Sequence, residues 1–208
     1  MKVLLISGSP TRDGSTEILL RKIGDSISQH APETPTVEFV RLNDLSFIPC
    51  QACAKSPEPE VCFYQDALWP VYQSLIDADI IALGSPVFFD SVSAQTKKFI
   101  DRCSCFRPPD YANETAQTFK KVVFKKIGLK RRVGAGVLVA GERGRFDLAR
   151  SVMKGFFKWT EIEALDFVTY HTPDFRKAGE AGKSPEALAS ADMAGKTLLD
   201  KYLRRSIV

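Results

Sequence analysis

The chain has 208 residues and a mass of 23.1 kDa, which suits one ordinary domain. Hydrophobic residues make up 44% and charged residues 26%, a balance that excludes disordered, collagenous and coiled-coil proteins. The formal charge of +4 is uneven, because residues 1–100 carry 8 basic and 12 acidic side chains and the remainder 21 and 13. No segment approaches the ~20 apolar residues of a membrane span, and the apolar run at residues 3–6 is too short for a signal peptide. We therefore expect a cytoplasmic protein without a membrane span.

Short apolar runs alternate with helical periodicity in the first half of the chain. Strands are predicted at Val3–Ile6, Val37–Val40 and Ile80–Leu83, because consecutive apolar residues are typical of strands that are covered on both faces. Apolar residues recur at helical spacing between them, which predicts helices over Gly14–His30 and Leu68–Ile76. The third strand is predicted to end at the Gly-Ser-Pro sequence that follows it.

The second half continues this alternation. In order, a helix, a strand, a helix, a strand and a last helix are predicted at 93–102, 133–140, 148–157, 164–168 and from 185 onward. Ser184 and Pro185 suit the N-cap and the first position of the last helix. Strands that alternate with helices need right-handed crossovers, so the predicted fold class is α/β, with a parallel sheet between two layers of helices.

The loop after the first strand favours a phosphate. In open parallel sheets, ligands bind beyond the carboxyl ends of the strands, and residues 7–16 here read SGSPTRDGST. Five hydroxyls, two glycines and a helix N-terminus can together hold an anion, although Ser15 or Thr16 would equally serve as a simple helix cap. No Gly-Lys-Ser/Thr or Gly-x-Gly-x-x-Gly pattern is present, which excludes the triphosphate P-loop and the dinucleotide fingerprint and favours a monophosphate.

Two more loops follow the third and fourth predicted strands. In the first, Phe88 and Phe89 are apolar rings that either cover a flat heterocycle or belong to the core. In the second, Gly141 to Arg145 place two glycines and two arginines at a strand-to-helix turn, which is either a ligand contact or a flexible charged turn. No catalytic acid or base stands out, since His30 and His171 are isolated and no Ser-His-Asp set is evident.

The segments GSPTRDGST and ADIIALGSPVFFDSVSAQTKKFIDR, with the glycine-rich loop after the fourth strand, resemble flavodoxin-fold NAD(P)H-dependent FMN reductases and quinone reductases. The branch that resembles the chain most is that of the iron–sulfur flavoproteins. The resemblance implies a single domain over residues 1–208, with an insertion at about 107–132. It also implies a flavodoxin-like three-layer sandwich whose five-stranded parallel sheet has the order 2-1-3-4-5.

The resemblance further implies that FMN is held across the three loops. Ser9, Thr11, Ser15 and Thr16 would take the phosphate, the segment after the third strand would border the isoalloxazine, and the glycine-rich loop its pyrimidine edge. The implied FMN-binding residues are Ser9, Thr11, Arg12, Gly14, Ser15, Thr16, Pro86, Val87, Phe88, Phe89, Gly141, Glu142, Arg143 and Gly144. Members of the family often have arginine at the position of Thr11 and asparagine at that of Ser15, and Arg12 is close enough in sequence to compensate.

The cysteine pattern alone does not decide whether the chain binds a metal cluster. Five cysteines without an export signal make a disulfide framework a poor interpretation. Iron–sulfur flavoproteins carry four compactly spaced cysteines, whereas this chain has Cys50, Cys53 and Cys62, with Ser56 at the remaining position. Fe–S clusters generally use four thiolates, so the sequence favours a cysteine loop without metal. If a cluster binds, these three cysteines are the expected ligands, and one of the two cysteines after the helix at 93–102 would complete the set only if the fold brings it near.

The leading functional interpretation is an FMN-dependent oxidoreductase. It would take hydride from NADH or NADPH at flavin N5 and pass electrons to a quinone, a free flavin, a nitro compound or a protein, with the cofactor supplying the chemistry. The alternatives are an FMN electron-transfer protein, with or without a cluster, that a protein partner reduces, and a regulator that has lost its cofactor.

Two expectations concern partners. A homodimer or homotetramer is expected, in which a neighbouring subunit closes the flavin site and covers Phe88 and Phe89. The segment Lys120–Arg132 has seven basic residues in thirteen. It is expected to be a solvated basic flank that binds no nucleic acid, with steering of an anionic substrate as a further alternative.

Overall fold

A central sheet with helices on both faces organises the residues that the computed structural model describes, which are 1–52, 62–106, 132–165 and 167–205. The strands are β1 (Lys2–Ser7), β2 (Thr36–Arg41), β3 (Ile80–Phe88), β4 (Ser91–Val92), β5 (Arg132–Gly141), β6 (Ile162–Ala164) and β7 (Val168–Thr172). The helices are α1 (Ser15–His30), α2 (Trp69–Asp77), α3 (Ala94–Arg102), α4 (Asp147–Trp159) and α5 (Pro185–Arg205).

The strand order confirms the predicted flavodoxin-like fold. Neighbouring strands run β2-β1-β3-β5-β6 and are parallel, while β4 forms a short antiparallel hairpin with β3. Strand β7 pairs with β5 on the same edge as β6, further along. When β4 is set aside and β6 and β7 are counted as one position, this is the order 2-1-3-4-5.

Two separate cores explain why β1 is apolar at consecutive positions. Leu4 and Ile6 belong to the core that contains residues of α2, α3 and α4, while Val3 and Leu5 belong to the core formed with α1 and α5. All four side chains are at most 2% exposed. Burial of one such side chain is worth about 1.5–3 kcal/mol, so both helical layers are anchored on the same short strand.

The prediction that the third strand ends at the Gly-Ser-Pro sequence is wrong, because β3 continues to Phe88. Proline is tolerated there because β1 stops earlier: its last pair joins Ser7 to Gly84. Pro86 lies beyond that end and pairs in register with Val139 of β5, so it removes no hydrogen bond to β1. The extra residues carry the strand to the edge where ligands bind.

The fifth predicted strand, Ala164–Val168, has the wrong bounds. The structure has two strands there, β6 and β7, with Phe167 between them. The ring of Phe167 lies over Gly136 of β5, where a Cβ atom would come within 2.1 Å of it. The pairing with β5 resumes at Val168, and β7 runs four residues past the predicted end.

The predicted insertion at 107–132 and the basic segment Lys120–Arg132 lie outside the described residues except for Arg132. Arg132 is fully buried at the start of β5, and its guanidinium donates to the carbonyl oxygens of Leu75, at 2.8 Å, and of Thr160. Burial lowers the pKa of Arg132 to about 10. This arginine is therefore an internal anchor, and its assignment to a solvated flank is wrong. Among the described helices, none is long and apolar enough to cross a membrane.

Candidate functional site

A cavity of about 340 Å³ opens at the carboxyl ends of the parallel strands, a size in the range of small-molecule sites. Most of the predicted FMN-binding residues line it, namely Ser9, Thr11, Gly14, Ser15, Thr16, Pro86, Val87, Phe88 and Gly141. The sequence interpretation missed the other lining residues, which are Pro10, Val139, Ala140, Thr172, Phe175, Arg176, Lys177, Ala178 and Gly179. The fold thus brings the three predicted loops to one cavity and adds a fourth, which follows β7.

The N-terminus of α1 borders this cavity without a side-chain cap. Gly14 is the N-cap residue, and no side chain caps the helix there. Ser15 and Thr16 occupy the first two helical positions, where backbone N–H groups lack partners within the helix. The alternative in which Ser15 or Thr16 is merely the cap does not hold, and the helix end is available to an anion.

The hydroxyls of the first loop differ in their availability. Ser9 Oγ accepts from the amide of Thr11 at 3.1 Å and lies 3.2 Å from the carbonyl oxygen of Thr11, to which it donates. Ser15 Oγ accepts from the amide of Ala181 at 3.0 Å, which leaves its own hydrogen free to donate. Ser15 can therefore bind an anion with its present contact intact, whereas Ser9 must exchange one.

Ser93, the N-cap residue of α3, joins the loop after β1 to strand β3. Ser93 Oγ donates to the carbonyl oxygen of Gly8 at 2.7 Å, and the Ser93 amide donates to Ser85 Oγ at 2.9 Å. A Cβ atom on Gly8 would lie 1.8 Å from Thr96 Oγ1, so the loop after β1 and the first turn of α3 approach as closely as glycine allows. One wall of the cavity is consequently held rigidly to the next.

The cations at the cavity are not the predicted one. Arg12 is exposed and pairs with Asp44 at 2.8 Å, and it does not line the cavity. Arg176 and Lys177 do line it, on the loop after β7. Both lie near Asp174, at 3.0 and 3.8 Å, and hydrogen bonds from Arg176 hold the pKa of that carboxyl below its usual range. Two cations against one carboxylate leave a positive balance at the cavity that the loop after β1 also lines.

The two predicted aromatic residues separate. Phe88 lines the cavity and is half exposed, whereas Phe89 is fully exposed at the tip of the β3–β4 hairpin and lies outside the lining. Phe89 and Asp90 have φ angles of 49° and 60°, a left-handed conformation that costs roughly 1–2 kcal/mol per non-glycine residue. The hairpin is fixed by the amide of Arg145, which donates to Asp90 Oδ1 at 2.9 Å.

The glycine-rich loop after β5 faces two cavities. A Cβ atom on Gly141 would meet nothing within 4 Å, so this residue leaves open space at the first cavity. Glu142, Arg143 and Gly144 instead line a neighbouring cavity of about 570 Å³, which shares Gly141, Thr172, Phe175 and Arg176 with the first. His171 supports the turn, with Nδ1 3.0 Å from the carbonyl oxygen of Gly141.

A buried ion pair lies against the loop after β1. Glu17, on the first turn of α1, is 1% exposed, and its Oε1 accepts from Arg41 Nε at 2.5 Å. Arg41 Nη1 also donates to Asp44 at 2.7 Å. Burial would lower the pKa of Arg41, but the hydrogen bonds to the two carboxylates raise it above its ordinary value. Sequence reasoning missed this pair, since an arginine at the end of an edge strand gives no sign of its partner.

The cysteines are partly brought together. Cys50 and Cys103 line one cavity of about 560 Å³, and Cys50 Sγ lies 3.6 Å from Ser104 Oγ. Burial raises the pKa of the Cys103 thiol well above its ordinary value. In the part of the chain that the structure describes, no three His, Cys, Asp or Glu side chains are placed to hold a metal. Cys53 lies outside the described residues, so the ligand set with Cys62 stays a prediction.

Arg102 contacts the chain on both sides of residues 50–62, the segment that contains Cys50, Cys53 and Cys62. It is 2% exposed, and it donates to the carbonyl oxygens of Ile48, at 2.7 Å, and Tyr64, at 3.1 Å. It also donates to both carboxylate oxygens of Asp66, at 2.7 and 3.2 Å. A single buried guanidinium therefore joins the chain on either side of residues 50–62 to the end of α3.

The fold and this cavity define a flavodoxin-like α/β protein with a cavity at the switch in strand order, where such folds bind ligands. The model of the NADPH-dependent FMN reductase family matches residues 1–162, and the chain belongs to that family.

Relatives and solved structures agree with this assignment. An iron-sulfur flavoprotein of Methanocaldococcus jannaschii is 40% identical over 102 residues, which are 49% of this chain and 51% of that protein. A second one from the same organism is 29% identical over 163 residues, 78% of this chain and 73% of that protein. The first of these matches is typical of several curated relatives, of which the chain spans about half the length.

Among solved structures, a flavone reductase has a TM-score of 0.70 at 17% identity and covers 97% of this chain and 63% of its own. An archaeal flavodoxin has a TM-score of 0.57 at 14% identity, with 97% and 99% covered. At these identities the likeness shows the fold.

Proposed function

We propose that the chain binds FMN in the 340 Å³ cavity and acts as an NAD(P)H-dependent oxidoreductase that passes electrons to a small-molecule acceptor such as a quinone or a free flavin. The observation that carries this proposal is the N-terminus of α1, which has no side-chain cap and borders a cavity that also touches the ends of β3 and β5. Membership of the FMN reductase family supports it.

The residues at one end of the cavity suit a single phosphate ester. The amides at the start of α1 and the hydroxyls of Ser15 and Thr16 supply donors, and Arg176 and Lys177 supply charge. The first loop lacks the glycine pattern that a pyrophosphate needs, so the proposal is FMN and not FAD.

The residues at the other end suit a flat ring. Pro86 and Val87 line the cavity, Phe88 adds an apolar ring that excludes water, and Gly141 leaves open space. When bound there, FMN supplies hydride acceptance and electron transfer. The chain positions and shields the cofactor, which needs no catalytic acid or base.

The neighbouring cavity suits the electron donor. It shares one wall with the first cavity, and its lining includes Arg143, which can meet an anionic phosphate of a nicotinamide nucleotide, together with Glu142 and the ion-paired Asp174 and Arg176. Neither arginine distinguishes NADH from NADPH, so both donors belong in the test.

Anaerobic mixing of the FMN-loaded protein with NADPH or NADH tests this proposal. Loss of the oxidised flavin absorbance within seconds, followed by its return when a quinone is added, is expected. Reduction by dithionite alone, with no response to either nucleotide, would contradict the proposed donor.

An electron-transfer protein reduced by a protein partner is the second function we propose for comparison. The observation that favours it is the shared cavity of Cys50 and Cys103, together with the curated relatives, which are iron-sulfur flavoproteins. Iron and sulfide analysis of anaerobically purified protein separates the two. Stoichiometric iron, with reduction by reduced ferredoxin and not by NADPH, would select this function.

We also propose that copies of this chain associate with each other. Phe88 and Phe89 expose apolar surface at the mouth of the cavity, and a neighbouring subunit that covers them would also shield the flavin. A homodimer or homotetramer is therefore proposed, and sedimentation velocity of the FMN-loaded protein tests it.

A further inference from the structure

The carboxylate of Glu17 holds the loop between β1 and α1, residues 8–14, which we call the phosphate loop. Its Oε2 accepts from the amide of Asp13 at 3.2 Å, near the end of the loop. Its Oε1 lies 3.5 Å from Ser7 Oγ, which in turn accepts from the amide of Ser9 at 3.3 Å. Asp13 has a φ of 52°, so the contact from Glu17 stabilises a backbone conformation that is otherwise unfavourable. One side chain thus fixes both limbs of the loop.

This carboxylate is also an electrostatic problem for the ligand. Glu17 follows Thr16, which lines the cavity, and its charge is almost fully shielded from water. Charges that are screened so little interact strongly over several ångströms, so an isolated carboxylate here would oppose a phosphate dianion. It would also offset the positive end of the α1 dipole, on which anion binding depends.

Arg41 removes that problem. Its guanidinium contacts Glu17 at 2.5 Å, and the two side chains are 8% and 2% exposed. Asp44 and Arg12 extend the network, but they are 37% and 69% exposed, so water screens them far more. Arg41 Nη2 is buried and has no hydrogen-bond partner among the described residues. Of the two carboxylates that Arg41 contacts, Glu17 is the one shielded from water.

We propose that Arg41 is a positioning residue that neutralises Glu17 beneath the phosphate loop, so that the loop order provided by Glu17 does not cost the site its preference for a phosphorylated flavin over riboflavin. The inference rests on the proposed FMN site. It assigns a ligand preference to two residues that do not line the cavity. Glu17 orders the loop, and Arg41 makes that order compatible with an anionic ligand.

The test compares FMN with riboflavin, which has the same ring and no phosphate. Dissociation constants for both are measured by flavin fluorescence on the apoprotein of the wild type, Arg41→Met, Glu17→Gln and the double variant. R41M leaves the carboxylate uncompensated, and we expect FMN affinity to fall about tenfold or more with riboflavin nearly unaffected. The double variant is neutral again and should recover most of the preference. Arg21→Met is the matched control. Arg21 lies on α1, like Glu17, but its guanidinium stacks over the ring of Phe39 at 4.0 Å, so the FMN and riboflavin affinities of this variant should match those of the wild type.

Thermal unfolding of each apoprotein shows which variants are folded. If R41M is not, Arg41→Lys takes its place: it keeps the charge, and its FMN preference should stay within about threefold of the wild type. The inference is overturned if folded R41M keeps the wild-type preference, if the double variant binds FMN no better than R41M, or if R41K loses the preference. Wild-type protein that binds neither flavin would contradict the proposed function instead, and equal binding of both would contradict the phosphate site.

Discussion

Ser15 Oγ accepts a hydrogen bond from the amide of Ala181 at 3.0 Å, across 166 residues of sequence. The bond joins the first turn of α1 to the segment that follows β7 and carries Arg176 and Lys177 into the cavity. A residue expected to contact phosphate or to cap α1 therefore holds the fourth wall of the site in place.

Ser15→Ala removes the hydrogen bond from Ala181 and the proposed hydrogen bond to the phosphate. We expect FMN affinity to fall by about 1.5–3 kcal/mol, the value of a hydrogen bond to a charged group, and part of the loss should persist with riboflavin because the wall is loosened. Ser28→Ala is the control, since Ser28 Oγ only donates to the carbonyl oxygen of Gly24 within the same helix. Fluorescence titration checks both, and an S15A variant that binds FMN like S28A would rule out the role of Ser15.

The cation that serves the phosphate should come from the loop after β7. Arg176 and Lys177 line the cavity, whereas Arg12 is paired with Asp44 outside it. The double variant Arg176→Gln, Lys177→Gln should therefore weaken FMN binding about tenfold at low salt, and the loss should shrink as salt screens these exposed charges. Arg12→Gln should change the affinity much less. The reverse ranking in a titration at two ionic strengths would restore Arg12 as the phosphate partner.

Phe89→Asn should separate stability from self-association. Asparagine tolerates the left-handed φ of 49° better than phenylalanine, so the free energy of unfolding of the variant should rise by up to about 1 kcal/mol. The exposed ring is lost at the same time, and self-association should weaken. Denaturant unfolding and sedimentation velocity measure the two effects. Unchanged sedimentation in F89N would show that Phe89 is not part of a subunit contact.

Acid should weaken the ion pair between Asp66 and Arg102. Burial would raise the pKa of Asp66, but hydrogen bonds from Arg102 and from two backbone amides lower it below the ordinary 3.8. A carboxyl with a lowered folded pKa contributes stability above its ordinary pKa, and that contribution is lost as the pH falls through the folded value. Asp66→Asn should therefore cost about 2 kcal/mol near neutral pH, and the difference from wild type should shrink below pH 3.8.

The neighbouring exposed pair provides the control for this measurement. Asp101 contacts Lys97 at 2.6 Å, but both side chains are about half exposed, so Asp101→Asn should cost no more than about 0.5 kcal/mol at any pH. Denaturant unfolding across pH measures both variants. A D66N difference that grows in acid would contradict the stated direction.

The strands and most of the site follow from local sequence patterns. Val3–Ile6 predicts its strand because both faces are covered, and the loop after it combines hydroxyls, glycine and a helix start, which is a local pattern. The fourth wall was missed because the predicted fifth strand stopped at Val168, so Pro173–Gly179 did not appear to follow a strand. The strand in fact ends at Thr172, because it pairs with β5 as far as Gly141, a residue that is distant in sequence.

Long-range pairs account for the other differences. Arg12 was expected at the phosphate because it lies in the right loop, yet Asp44 from the end of β2 holds it elsewhere. Arg132 looks like one more cation in a basic run, but its place at the start of β5 buries it against two backbone carbonyls. A charged residue's role here depends on its partner, and the partner is set by the fold.

The most direct test of the FMN site is a variant that fills the cavity and leaves the fold intact. A side chain on Gly141 meets nothing within 4 Å of its Cβ atom, so Gly141→Trp should be accommodated and should occupy the space proposed for the ring. Equilibrium dialysis against FMN, with thermal unfolding of the apoprotein as the folding check, gives the answer. The account predicts one FMN per chain for the wild type and none for G141W at the same melting temperature; wild-type FMN binding by folded G141W would contradict it.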